Sequence, residues 1–163
     1  MSSRDFDSDE DNTAQPLITI RIIWGAILMG LIFISAVMVV LTLDQSPEEA
    51  TPALDSDGLP VVTIAAAGLL IAAVPAAYFL RNQIYKKHWS GDAVEPEGYV
   101  TANILFLALI EAPAVVAAIG IVVHGSVFPQ VIPLVIAAGI ILANFPTGGP
   151  MRSQAPRLGV SER

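Results

Sequence analysis

Within the apolar bulk of this chain one carboxyl group stands almost alone. It belongs to Glu111, in the stretch Tyr99 to Val123, YVTANILFLALIEAPAVVAAIGIVV. Apart from Thr101 and Asn103 near its start, Glu111 is the only strongly polar side chain in those 25 residues. A carboxyl group can bind a cation or take up and release a proton. At the centre of a bilayer a charge costs about 2.5–3.5 kcal/mol on insertion scales, so Glu111 is expected to face protein or water and to hold its proton. Asn144, an amide at the end of another apolar stretch, is its expected companion in an ion-binding or proton-accepting site. A purely structural role is the alternative. Glu111 would then hydrogen-bond Asn144, Thr63 or a carbonyl freed by Pro113, at about 0.6 kcal/mol for such a bond between membrane helices.

The elements that must carry these groups are long apolar helices. A segment of 25 such residues can cross the roughly 30 Å hydrocarbon core of a bilayer. On a 3.6-residue period Glu111 shares its stripe with Ile104, Leu107, Ala108, Ala114, Val115, Ala118 and Val122. Four blocks of this kind predict spans over about 18–43, 60–80, 99–123 and 127–145. The fold class expected is therefore all-α, an integral membrane four-helix bundle. Gly68 and Ala72 in the second span, and Gly139 and Ala143 in the fourth, lie four apart on one face. Such small-residue pairs predict close helix packing.

Between and beyond the spans the composition changes. Residues 1–17 are acidic and predict a disordered tail. The connection Asp44 to Leu59 holds five acids, three breakers (Pro47, Pro52 and Gly58) and no cation, and predicts a solvated linker. Arg81 to Trp89, RNQIYKKHW, carries the cations and aromatics of an interfacial anchor, as do Arg21 and Trp24 at the start of the first span. Residues 147–163, rich in Pro, Gly and Arg, predict a flexible tail.

The whole chain has 163 residues, of which 54% are hydrophobic and 14% charged, which selects an integral membrane protein over a water-soluble domain. Its net charge of −7 without a basic cluster argues against nucleic acid as a partner. Cysteine is absent, so disulfides and thiolate metal sites are excluded. His88 and His124 flank opposite ends of spans, and no catalytic or nucleotide-binding motif is present, so neither an enzyme, a cofactor nor a metal is expected. Placing both tails and the 81–99 loop on one side gathers all eight cations there. The positive-inside rule then puts both termini in the cytoplasm.

An internal repeat runs through the spans. AAGLLIAAVP at 66–75 matches AAGIILANFP at 137–146, with Gly68 on Gly139, Ala72 on Ala143 and Pro75 on Pro146, at a constant offset of 71. TIRIIWGAILM at 19–29 lies over TANILFLALIE at 101–111 at an offset of 82. Two duplicated helical hairpins are the expected architecture.

Around Glu111 the 17 residues LALIEAPAVVAAIGIVV resemble the carboxylate-bearing helix of the proteolipid (c-type) subunit of rotary ATP synthases. The resemblance implies that Glu111 binds and releases a translocated proton or sodium ion. Here the acid lies in the third span, whereas a doubled proteolipid carries it in an even one. The chain as a whole resembles the small four-span proteins of bacterial inner membranes. Two functions are therefore expected in competition. One is a non-enzymatic accessory or assembly subunit of a membrane complex, whose partners are the lipid bilayer and other membrane subunits or the protein itself. The other is a small proton- or cation-handling protein that uses Glu111.

Overall fold

The computed structural model describes residues 6–44 and 61–152. The acidic linker, residues 1–5 and the end of the C-terminal tail lie outside the described residues. The fold is all-α apart from one short turn of sheet. Helix α1 runs over Phe6–Asp44, α2 over Val61–Lys87, α3 over Pro96–Val123 and α4 over Val131–Ala143. Between α2 and α3 the strands β1 (Trp89–Ser90) and β2 (Ala93–Val94) pair antiparallel. A 3₁₀ turn, Gly149–Met151, ends the described chain.

Three helices, α1 from Ala14, α2 and α3, are long and apolar enough to cross a membrane. They are not equivalent. Half of the most apolar window of α3 is buried, against 22% for α2 and 6% for α1. Helix α3 packs against each of the other three, whereas α1 and α2 barely touch. The buried face of α3 is built from small residues: Ala102, Ala114, Ala117 and Ala118 are fully inaccessible, with Phe106 and Ile110 filling the space between. In lipid, apolar transfer does not drive helices together, so this close packing is what holds them. The first two spans are thus separated by α3 and do not form a packed hairpin of their own.

Helix α1 starts at Phe6 and takes in the segment 6–17, over which a disordered tail was expected. At the other end the packed body reaches Met151 rather than stopping at 146. Met151 is buried, and the Gly148 N–H donates to the Tyr99 hydroxyl at 3.0 Å.

The fourth span also departs from expectation. Helix α4 holds 13 residues, about 20 Å of rise, which is short of a bilayer core. Its limits have local causes. Residues 128–130 form turns, and Pro133 sits in the first helical turn, where a missing N–H is not needed. Phe145 precedes Pro146, and a residue before proline is pushed out of helical backbone, so α4 stops at Ala143. The chain nevertheless runs the length of the bundle. Gln130 lies against Gly120 near one end of α3, and Gly148 is bonded to Tyr99 near the other. The route is a half-length helix followed by the non-helical segment 145–148. A Cβ built at Gly148 would come within 3.0 Å of Leu17 Cδ1, so α1 and the end of the described chain meet at the same end of the bundle.

The β1–β2 turn seats its own close contact. A Cβ at Gly98 would lie 2.3 Å from His88 Cβ, and His88 also pairs with Glu95 through Nδ1 and Oε2 at 3.6 Å. Gly98→Ala is therefore expected to lower the midpoint of thermal unfolding in detergent by the cost of overpacking, about 1–3 kcal/mol. Gly91→Ala, at the tip of the turn with φ +61°, tests strain instead of space and is expected to cost about 1 kcal/mol.

Candidate functional site

Where a membrane helix ends inside the protein, its last carbonyls need donors. At the C-terminus of α4 the backbone N–H of Asn144 and two side chains supply them, and a third side chain holds the segment that follows. Asn144 Nδ2 donates to the Ile140 carbonyl at 2.9 Å, Trp24 Nε1 to the Ile141 carbonyl at 2.9 Å, and Arg21 Nε to the Pro146 carbonyl at 3.3 Å. Arg21 and Trp24 both pack on Phe145, the guanidinium carbon 5.3 Å from the ring centre and the indole edge-on at 5.0 Å. Both side chains have the types of headgroup anchors. Here they fasten the broken fourth element to α1.

Arg81 is likewise turned inward. Its guanidinium carbon lies 4.6 Å from the Phe106 ring centre and 4.9 Å from that of Tyr78, and Nη1 donates to Asn144 Oδ1 at 3.1 Å. The Tyr78 hydroxyl lies 3.2 Å from the same Oδ1 and 2.9 Å from Asn144 Nδ2. Arg81 Nε is buried and has no partner among the described residues. Aromatic faces hold the cation by their quadrupole, yet none of these neighbours is an anion.

Beside Arg81 a cleft of about 220 Å³ opens at this end of the bundle, lined by Tyr85, Tyr99, Asn103, Asn144, Pro146 and Thr147 among others. Tyr85 and Tyr99 stack at 5.9 Å with their planes 7° apart. Asn103 Nδ2 donates to the Tyr85 hydroxyl at 2.9 Å and to the Tyr99 carbonyl at 2.8 Å. None of the described residues lining the cleft is an acid. The polar constellation that the fold assembles is therefore a cation with phenols and amides.

The expected pair is not assembled. Asn144 belongs to the Arg81 cleft, and Glu111 is not among the residues lining it. Glu111 is half-buried at the edge of the outward face of α3, beside exposed Ala108 and Ala112. It has no hydrogen bond or ion pair among the described residues, with Asn144, Thr63 or any freed carbonyl. Thr63 Oγ1 is itself buried without a partner among the described residues. The spacing of the two apolar segments does not encode their relative register, and it is Tyr78 and Arg81 that draw Asn144 to α2.

The packing residues also point elsewhere. Gly68, Ala72, Gly139 and Ala143 are all exposed, and a Cβ built at either glycine would meet nothing within 4 Å. The close crossing expected of them inside the chain is made instead by Ala66, Ala77, Ala137 and Gly120. Residues overlooked at the level of sequence are Tyr78, Arg81, Tyr85, Tyr99 and Asn103. Their signal was present: positions 78, 81 and 85 fall on one helical face, as do 99 and 103.

No protein-family model matches this chain, and neither does any curated protein or solved structure with which it was compared.

Proposed function

We propose that this chain is a non-enzymatic integral membrane protein, an accessory or assembly subunit of a membrane complex. It offers the outward Gly/Ala faces of α2 and α4 to helices of other subunits or of a second copy. The observation that supports this most is the exposure of Gly68 and Gly139 with open space around each. Membrane helices associate where small residues let backbones approach, and neither glycine is used for a close contact among the described residues. The setting is a bacterial inner membrane with both termini cytoplasmic, supported by the gathering of cations at the end where Leu17 meets Gly148.

Duplication is part of the same proposal. At the offset of 71, Thr63 and Leu134, Ala66 and Ala137, and Leu70 and Ile141 are buried in pairs, while Gly68 and Gly139, and Ala72 and Ala143, are exposed in pairs. A shared burial register is what descent of α2 and α4 from one ancestral hairpin helix leaves behind.

The test separates folding from assembly. Gly68→Leu and Ala72→Leu are expected to leave thermal unfolding of the isolated chain unchanged, since nothing in the chain is displaced. In mild detergent extracts the same variants should lose the larger assembly in which the wild-type protein migrates. Variants that migrate with the wild type would reject the Gly68 face as a subunit contact.

A second reading has its own observation: Glu111 is a membrane carboxyl without a partner in the described chain. If it handles protons or cations, a hydrophobic carbodiimide should modify Glu111 in preference to the loop acids, more strongly as pH falls. Glu111→Gln keeps the shape and abolishes titration, so it should remove pH-dependent behaviour while preserving abundance. Absence of labelling, together with a silent Gln variant, would retire this reading.

A further inference from the structure

We propose that the cleft beside Arg81 binds a phosphate-group oxyanion, carried either by a phospholipid headgroup or by a soluble phosphate compound. Three observations converge on an anion, and none of them concerns the subunit contacts proposed above. The first is charge. The Arg81 guanidinium lies against the Tyr78 and Phe106 rings with only the Asn144 carboxamide as an acceptor among the described residues, and none of the described residues lining the cleft is an acid. A guanidinium packed against two rings at the end of a bundle of apolar helices calls for a counter-charge. The second is donor supply. Arg81 Nε has no partner among the described residues. The Tyr85 hydroxyl accepts from Asn103 and the Tyr99 hydroxyl accepts from the Gly148 N–H, so each keeps its own proton to give. No acceptor for either phenolic proton occurs among the described residues. The third is access. The cleft is open and stands at the end of the bundle where Arg21, Lys86 and Lys87 also lie.

A donor-lined, acid-free cleft around an arginine excludes cations and suits an oxyanion with several acceptor oxygens. The planar fork of the guanidinium matches phosphate geometry, and the two phenols add neutral donors at fixed positions because their rings are stacked. Arginine clefts between membrane helices at a headgroup level meet phosphodiesters at high local concentration, which supplies the lipid source. Inorganic phosphate or a phosphorylated solute entering from the aqueous side is the other. The chemistry at Arg81 is the same for both.

The experiment is thermal unfolding of the full-length protein in a neutral maltoside detergent, titrated with two probes. One is sodium phosphate against sodium chloride at matched ionic strength. The other is a short-chain phosphatidylglycerol against an uncharged diacylglycerol of the same chain length. A saturable rise in the unfolding midpoint is expected with phosphatidylglycerol, with phosphate, or with both, and which of them acts identifies the source. Arg81→Gln should weaken that binding about tenfold or more, the loss of a charged hydrogen-bond donor. Because Arg81→Gln also removes a packed side chain, the double variant Tyr85→Phe and Tyr99→Phe is the second measurement. It keeps both rings and should weaken binding several-fold without lowering the unliganded midpoint to the same extent. Absence of a saturable shift with either probe would overturn the proposal. So would an equal shift in wild type and Arg81→Gln.

Discussion

Gly120→Leu is expected to lower the unfolding midpoint of the protein in detergent more than a leucine at Gly25, Gly30, Gly68 or Gly139, around which a side chain meets open space. Gly120 is buried where α3 crosses α2 and the start of α4. Even a Cβ there would lie 2.9 Å from Val62 Cγ1 and 3.1 Å from Gln130 Cγ. Three further carbons have no room unless α2 or the 127–130 turn is displaced. Overpacking of this kind costs about 1–3 kcal/mol, and a crossing met on two sides belongs at the upper end. For a chain of this size that corresponds to a fall of roughly 5–10 °C. Gly68→Leu is the matched control, because its surroundings are open and its unfolding should be that of wild type. The contrast between these two glycines decides which small-residue face is internal and which is outward.

Asn144→Leu is the second substitution with a large expected effect. Asn144 Oδ1 accepts from Arg81, its Nδ2 satisfies the Ile140 carbonyl at the end of α4, and Tyr78 bonds to the same amide. Leucine removes these together. A guanidinium then loses its one acceptor among the described residues, while the Ile140 and Ile141 carbonyls keep the backbone N–H of residue 144, so destabilisation by about 1–3 kcal/mol is expected. Asn144→Asp keeps an acceptor for Arg81 and adds a counter-charge, and should retain most of the stability in the same unfolding measurement. If Asn144 served only to fill space, Leu would be tolerated at least as well as Asp.

How far these features can be read from the sequence differs by element. The spans around α1, α2 and α3 are legible because long apolar runs are bounded by acids, prolines and glycines. Of the expected limits, 43, 60 and 123 lie within a residue of the helix ends, whereas 18, 80 and 99 lie inside helices that run on to Phe6, Lys87 and Pro96. The central position of α3 is not legible from alanine content, since α2 holds seven alanines and α3 six. The length of α4 is not, because hydropathy over 127–145 stays high while the Phe145–Pro146 step ends the helix early. The cleft is not legible by composition either. Arginine and tyrosine at the end of a span have the same types whether they face headgroups or a neighbouring helix. What separates the cases is the register that brings Asn144 to Arg81, a tertiary fact. For the same reason Glu111 and Asn144 look like partners in one dimension and part in three. Small-residue stripes carry the converse ambiguity: Gly68 and Gly120 are equally small, and only the packing shows that one is enclosed and the other open.

The central claim is that three spanning helices and a broken fourth element bring the two ends of the chain to the same face of the membrane. Because the sequence contains no cysteine, single cysteines report without background. Ser2→Cys, Ser56→Cys and Ser153→Cys would each be challenged with a membrane-impermeant maleimide in sealed vesicles of known, opposite orientations. The account predicts that Ser2→Cys and Ser153→Cys are labelled in one orientation and Ser56→Cys only in the other. Labelling of Ser2→Cys and Ser153→Cys from opposite sides would contradict it, since α4 and the segment that follows would then not return across the bilayer.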